Sequence, residues 1–179
     1  MRNKQKYILY YITLVTSIKS KKKSLIMKHI NTNIFHPAWV TGFIDGEGTF
    51  AVAIQRNSTM ALGYQVQLQF VITQHIRDAA LMVKFLEFFN CGTVVNDGPT
   101  KKQFRIRDFN KLETILFPFL DAYPLQTQKA LDANDFRLVH TMMKDKLHLT
   151  QAGLDSIRTI ASGMNRGRMS EYASLRKSP

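Results

Sequence analysis

The residues best suited to chemistry in this chain are two carboxylates set among glycines, Asp45-Gly46-Glu47-Gly48, with Gly42 just upstream. An apolar run from Ala38 to Ile44 leads into them, and a β-prone run begins at Thr49. This pattern reads as a helix that ends at an acidic, glycine-rich turn and passes directly into a strand. Pro37 suits a first helical turn, where its missing N–H costs nothing. Gly42 and Gly46 stand four apart, so they share a helix face and let another backbone approach closely. The run is too short and too acidic to span a membrane. Asp45 and Glu47 lie where the helix macrodipole disfavours negative charge. They need a compensating partner, and a divalent cation is the simplest one; two solvated acids at a glycine cap are the plainer reading.

Elements able to hold these groups follow along the chain. Thr49 to Gln55 alternates, with Phe50, Val52 and Ile54 on one face and Gln55 on the other, as a half-buried strand does. After a polar turn ending at Gly63, Tyr64 to Gln74 alternates again: Val66, Leu68, Phe70 and Ile72 face inward, Gln65, Gln67 and Gln69 outward. That amide stripe has two readings, a solvated sheet face or base readout. In the second, Gln binds adenine edges bidentately in a major groove that admits a β-ribbon.

Arg77 to Phe89 has helical spacing, with Ala80, Leu81, Val83, Phe85, Leu86, Phe88 and Phe89 apolar. Cys91 to Val95 is a short strand, and Lys101 to Asp108 another, with Phe104 and Ile106 inward and Lys101, Gln103, Arg105 and Arg107 on the far side. Lys101, Lys102, Arg105 and Arg107 form a basic cluster fit for phosphate and guanine. Lys111 to Leu120 reads as a helix, and Gln126 to Lys146 as a long one with Leu131, Phe136, Leu138 and Met142 apolar. A last helix, Leu149 to Asn165, opens at Thr150 and is capped by Gly163. The order αββαββα predicts an α+β fold: one four-stranded antiparallel sheet with helices on one face and the other face open.

A chain of 179 residues supports one domain with extensions. Its formal charge of +12 is uneven: residues 1–30 hold eight Lys/Arg and no acid, which leaves +4 for 31–179. A DNA-binding surface in the folded part must therefore come from clustering. Cys91 stands alone, which excludes a disulfide framework and a cysteine zinc site. The five histidines show no metal-ligand spacing. The apolar stretch 7–18, about a dozen residues, is short of the roughly 20 that a membrane span needs. Residues 1–30 are expected to be a poorly ordered basic arm adding non-specific phosphate attraction. Their Lys, Asn, Ile and Tyr come from A/T-rich codons, as in organelle reading frames.

Val40-Thr41-Gly42-Phe43-Ile44-Asp45-Gly46-Glu47-Gly48 fills all nine positions of the LAGLIDADG homing endonuclease signature. The resemblance covers about residues 35 to 168, and 153–168 resemble the C-terminal segment of organellar members. It implies a LAGLIDADG-type fold with a saddle-shaped sheet over 31–168, followed by a tail over 169–179. It implies Mg²⁺-dependent hydrolysis of double-stranded DNA in intron homing, with Glu47 holding metal, assisted by the carbonyl of Gly46. Gln74 matches the position that orients water. Lys129 matches a basic position in the segment Pro124-Leu125-Gln126-Thr127-Gln128-Lys129, where relatives often carry two lysines and this chain has one. Asp45 is expected to support the helix end. With one signature, two copies are expected to pair through Gly42 and Gly46 as a homodimer, with Gln55, Gln65, Gln67, Gln69, Lys101, Gln103, Arg105 and Arg107 against DNA. Alternatives are an intron RNA-binding maturase and a DNA-binding module without catalysis. The compartment implied is a mitochondrion, or alternatively a plastid, with no membrane partner.

Overall fold

The computed structural model describes residues 29–165. The expectations for most of the basic arm and for the tail lie outside the described residues. The elements run α1 (Pro37–Glu47), β1 (Gly48–Arg56), β2 (Tyr64–His75), a 3-10 turn (Ile76–Asp78), α2 (Ala79–Phe89), β3 (Thr93–Asn96) and β4 (Lys101–Ile106). A composite helix over 109–122, α3, follows, built from Phe109–Lys111, a π turn at Leu112–Leu116 and Phe117–Ala122. Then come α4 (Lys129–Lys144), a 3-10 turn (Leu147–Leu149) and α5 (Gln151–Ser162). No helix among the described residues is long and apolar enough to cross a membrane.

The strands form one antiparallel sheet in the order β1-β2-β4-β3. Period-two alternation decides its two faces. Phe50, Val66, Leu68, Phe70, Ile72, Phe104 and Ile106 are buried on one side, where α2 packs on β2, β3 and β4 while α4 and α5 pack on β1. Phenylalanine dominates the interior: Phe50, Phe70, Phe85, Phe88, Phe89, Phe104, Phe119 and Phe136 are all fully buried. Their rings stack or meet edge to face, as Phe89 does on Phe104 and Phe119 at 5.7 and 5.3 Å.

Caps set the helix ends. His36 Nδ1 accepts from Ala38 N at 3.3 Å ahead of Pro37 in α1, and Thr150 Oγ1 accepts from Gly153 N at 3.1 Å in α5. Beyond α5, Asn165 donates from its backbone N to Asp132 Oδ1 (3.0 Å) and from Nδ2 to Phe50 O (2.9 Å), tying this end to α4 and β1.

Several expectations are corrected. Ile30, assigned to the basic arm, is 5% exposed and belongs to the core, and Asn31 N donates to Phe88 O; an apolar β-branched side chain gains more from burial than from the arm it was grouped with. Leu131 and Leu138 are exposed, because α4 turns Ala133, Phe136 and Val139 to the sheet instead. In α2, Val83 is exposed and Met82 takes the interior. Lys102 does not join the basic face: it alternates with Gln103 and so stands on the helix side of β4.

Candidate active site

Two residues apart at the end of α1, the two acids meet different surroundings. Asp45 accepts from Gln126 N (2.8 Å), Thr127 N (3.2 Å) and Thr127 Oγ1 (2.7 Å). Its carboxylate thus anchors the segment that leads into α4, as expected of a residue supporting the helix end. Glu47 is exposed and has no hydrogen-bond or ion-pair partner among the described residues. Lys129, at the start of α4, reaches back to the same turn: its Nζ donates to Gly48 O at 2.5 Å and lies 3.4 Å from Gly46 O. An ammonium on the last carbonyls of a helix opposes the negative end of its dipole. Part of the compensation that the two acids require therefore comes from within the chain.

Gly48 turns the chain. A Cβ there would sit 2.7 Å from Ile44 O and 2.8 Å from Ile44 Cγ2, so no larger residue fits between helix and strand. Gly42 and Gly46 are the opposite case. Both are exposed, and a Cβ at either would meet nothing within 4 Å. Nothing in the described chain needs these two glycines; they leave a bare strip along α1. Beside them Trp39 is 45% exposed, stacked on Phe35 and Phe43 at 4.7 and 5.1 Å.

Gln74 pairs with Lys102 near the end of β2, two positions past Ile72, whose partner is Gly48. The register brings Gln74 level with the α1 terminus. It also puts Gln74 on the opposite side of the strand from Gln65, Gln67 and Gln69, so it belongs with the helix end and not with the open face.

Across the sheet the pairs Gln55↔Gln65, Ala53↔Gln67, Ala51↔Gln69, Val71↔Arg105, Thr73↔Gln103 and His75↔Lys101 place the remaining predicted residues on one face. No strand among the described residues carries an acid. Arg107, one residue beyond β4, donates from Nε to Gln69 Oε1 (3.1 Å) and from Nη2 to Gln67 Oε1 (3.0 Å). Arg105 Nε is buried and has no acceptor among the described residues, a donor left at a cost of about 1–3 kcal/mol. Sequence reasoning missed Thr127, whose signal was its place two residues before Lys129, and Asn57, which donates to Gln65 Oε1 at 3.1 Å.

Glu47 and the Gly46 carbonyl are hard oxygen donors, the kind that Mg²⁺ prefers. The described residues hold no cluster of three or more His, Cys, Asp or Glu. One chain fits such an ion only in part, with the remainder of its shell left to water, phosphate oxygens or a second copy, which is how Mg²⁺ is commonly bound.

A four-stranded antiparallel sheet with an acid-free face, entered through a helix ending in an acidic glycine turn, defines a class of α+β protein. Residues 40–140 match the LAGLIDADG endonuclease family, and the chain belongs to it. It is 36% identical over 127 residues to probable intron-encoded endonuclease 3 of Neurospora crassa, covering 70% of this chain and 24% of that protein. A 50.9 kDa protein in ND4 intron 1 of Podospora anserina is 34% identical over 64% of this chain and 26% of its own length. The chain thus spans about a quarter of these relatives. Among solved structures it resembles the I-LtrWI LAGLIDADG homing endonuclease bound to target DNA (40% identity, TM-score 0.71, 74% of this chain and 45% of that one). It also resembles the homing endonuclease I-TnaI (38%, TM-score 0.70, 79% and 97%).

Proposed function

We propose that this chain is a site-specific, Mg²⁺-dependent homing endonuclease that hydrolyses double-stranded DNA as a homodimer, encoded in a mitochondrial intron. The observation that carries this reading is Glu47: a solvent-facing carboxylate without a partner among the described residues, on a turn braced by Asp45 and Lys129, beside an acid-free sheet face.

Glu47 and Gly46 O would hold the ion. Bound there, Mg²⁺ supplies Lewis-acid neutralisation of phosphate charge. Asp45 holds the α1 turn against the start of α4, which keeps the Glu47 carboxylate at a set height over the groove. The Gln74 amide orients the attacking water, since it can donate and accept at once. The Lys129 ammonium, already at this turn, offsets negative charge that grows on the phosphate. Gly42 and Gly46 supply the bare strip on which a second copy of α1 would lie, giving one carboxylate per strand of the duplex and a pseudo-palindromic target. Lys101, Gln103 and Arg105 on β4, with Gln55, Gln65, Gln67 and Gln69 on β1 and β2, would face the groove. The naming of relatives for introns, one of them in ND4, supports the organellar intron origin.

The test is a plasmid carrying the intronless insertion site, incubated with the chain and Mg²⁺ beside Glu47→Gln. Cleavage by the first and not the second is expected. Tight binding to intron RNA without cleavage at any candidate site would replace this reading with a maturase.

A further inference from the structure

Three of the four glutamines of β2, Gln65, Gln67 and Gln69, have the same half of their amides occupied. Arg107 has only donors, so the atoms it meets on Gln67 and Gln69 are the carbonyl oxygens Oε1. At Gln65 the assignment follows from the backbone. Thr59 N can only donate, and it meets Asn57 Oδ1 at 3.1 Å. Asn57 therefore turns Nδ2 to Gln65, and the atom received there at 3.1 Å is again Oε1. In each amide the carbonyl oxygen is held by a protein donor, which fixes the end of the amide turned to Arg107 or Asn57, and the NH₂ group has no protein partner among the described residues.

Resting on the reading that this face lies against a duplex, we propose that Gln65, Gln67 and Gln69 read bases as a row of amide donors. Arg107 is the positioning residue for Gln67 and Gln69, and Asn57 for Gln65. Bidentate recognition of adenine needs a donor and an acceptor from one amide turned together to the base; here the oxygen is already held to Arg107 or Asn57, and the NH₂ group is the unengaged end. Guanine presents two acceptors, N7 and O6, and thymine presents O4. Adenine keeps N7 alone, and cytosine offers only its N4 donor. The row therefore favours guanine, with two acceptors, takes thymine and adenine, with one each, without preference between them, and disfavours cytosine. Residues two apart on a strand are ~6.8 Å apart, against ~3.4 Å per base step. The three amides thus address positions two base pairs apart. The adenine preference that a free glutamine would show is replaced by a donor code set from β4 and the β1–β2 turn.

The test is a binding selection with the full chain on a pool of randomised duplexes, with divalent metal left out so that bound duplex is not cut. Wild type is expected to give three columns, spaced by two base pairs, enriched in guanine and poor in cytosine. Arg107→Ala frees two carbonyl oxygens, so adenine should rise roughly tenfold relative to guanine at two columns and stay unchanged at the third. Asn57→Ala should move the third column only. Arg107 is exposed and Asn57 lies in the β1–β2 turn, and circular dichroism checks that the variants fold. Weaker binding by Arg107→Ala across all sequences, with unchanged base preference, overturns the proposal and makes Arg107 a phosphate contact. A wild-type chain that enriches no sequence overturns the duplex-reading function itself, and this inference with it.

Discussion

The end of α1 and the open face of the sheet treat their polar groups in opposite ways. At the helix end the functions are divided between neighbours: Asp45 is committed to three donors, while Glu47 is left free. On the sheet the same side chains would serve both structure and the proposed recognition, because Arg107 and Asn57 hold the glutamines through one half of each amide. A carboxylate that must take up a metal cannot also be a strut. An amide has two ends, and one can be fixed while the other stays available.

The largest effect is expected where this division is most complete. Glu47→Gln should lower cleavage by about 10³-fold, corresponding to several kcal/mol of lost metal assistance, with an unchanged urea midpoint. A variant that cuts normally would show that the unpartnered acid is not the one used. Gly42→Leu adds a side chain to open space, so the monomer should stay as stable or gain up to about 1 kcal/mol from helix propensity. Self-association, followed by sedimentation, should fall at least about a hundredfold as overpacking separates the helices; an unchanged dimer would move the interface away from α1.

Asp45→Ala should do the reverse of Glu47→Gln. Losing the charge-assisted bonds to Gln126 and Thr127 is expected to cost about 3 kcal/mol in urea unfolding. No loss would mean that Asp45 is as idle structurally as its neighbour. The smallest effect is expected at Cys91, beyond both regions. Burial pushes its thiol up to about 11, with Lys111 opposing and Asp108 adding to the shift. Because the folded value is raised, this contribution to stability is present below about pH 9 and lost as pH rises towards about 11. Alkylation at pH 8 should be slow, and equally slow in Asp45→Ala. Faster labelling in that variant would show that loosening at the helix end spreads to the sheet.

Much of this arrangement was legible residue by residue. The alternation around Phe50 and Phe70 fixes both faces of the sheet, since period two leaves no other way to bury those rings. The helix ending at Glu47 could be read from Pro37 and from the glycines. On α4 the sequence holds two apolar stripes, one through Leu131 and Leu138 and one through Ala133, Phe136 and Val139. Composition favours the first, and only the sheet underneath selects the second. The π turn at Leu112–Leu116 adds one residue to a turn and leaves no compositional mark. The grip of Arg107 on Gln67 and Gln69 spans some forty residues, so no local pattern could announce it.

The position of β2 has a consequence for how such a chain can acquire a new target. It is held on one edge by β1 along Tyr64–Ile72 and on the other by β4 along Phe70–His75. On the proposed reading, exchanging one outward side chain would alter a single letter of the recognised site and leave the scaffold intact. Removing one residue from the strand would instead drive the glutamines into the phenylalanine interior and expose the rings. Drift to new sites should therefore proceed by replacement within β2, with insertions and deletions confined to the 57–63 turn.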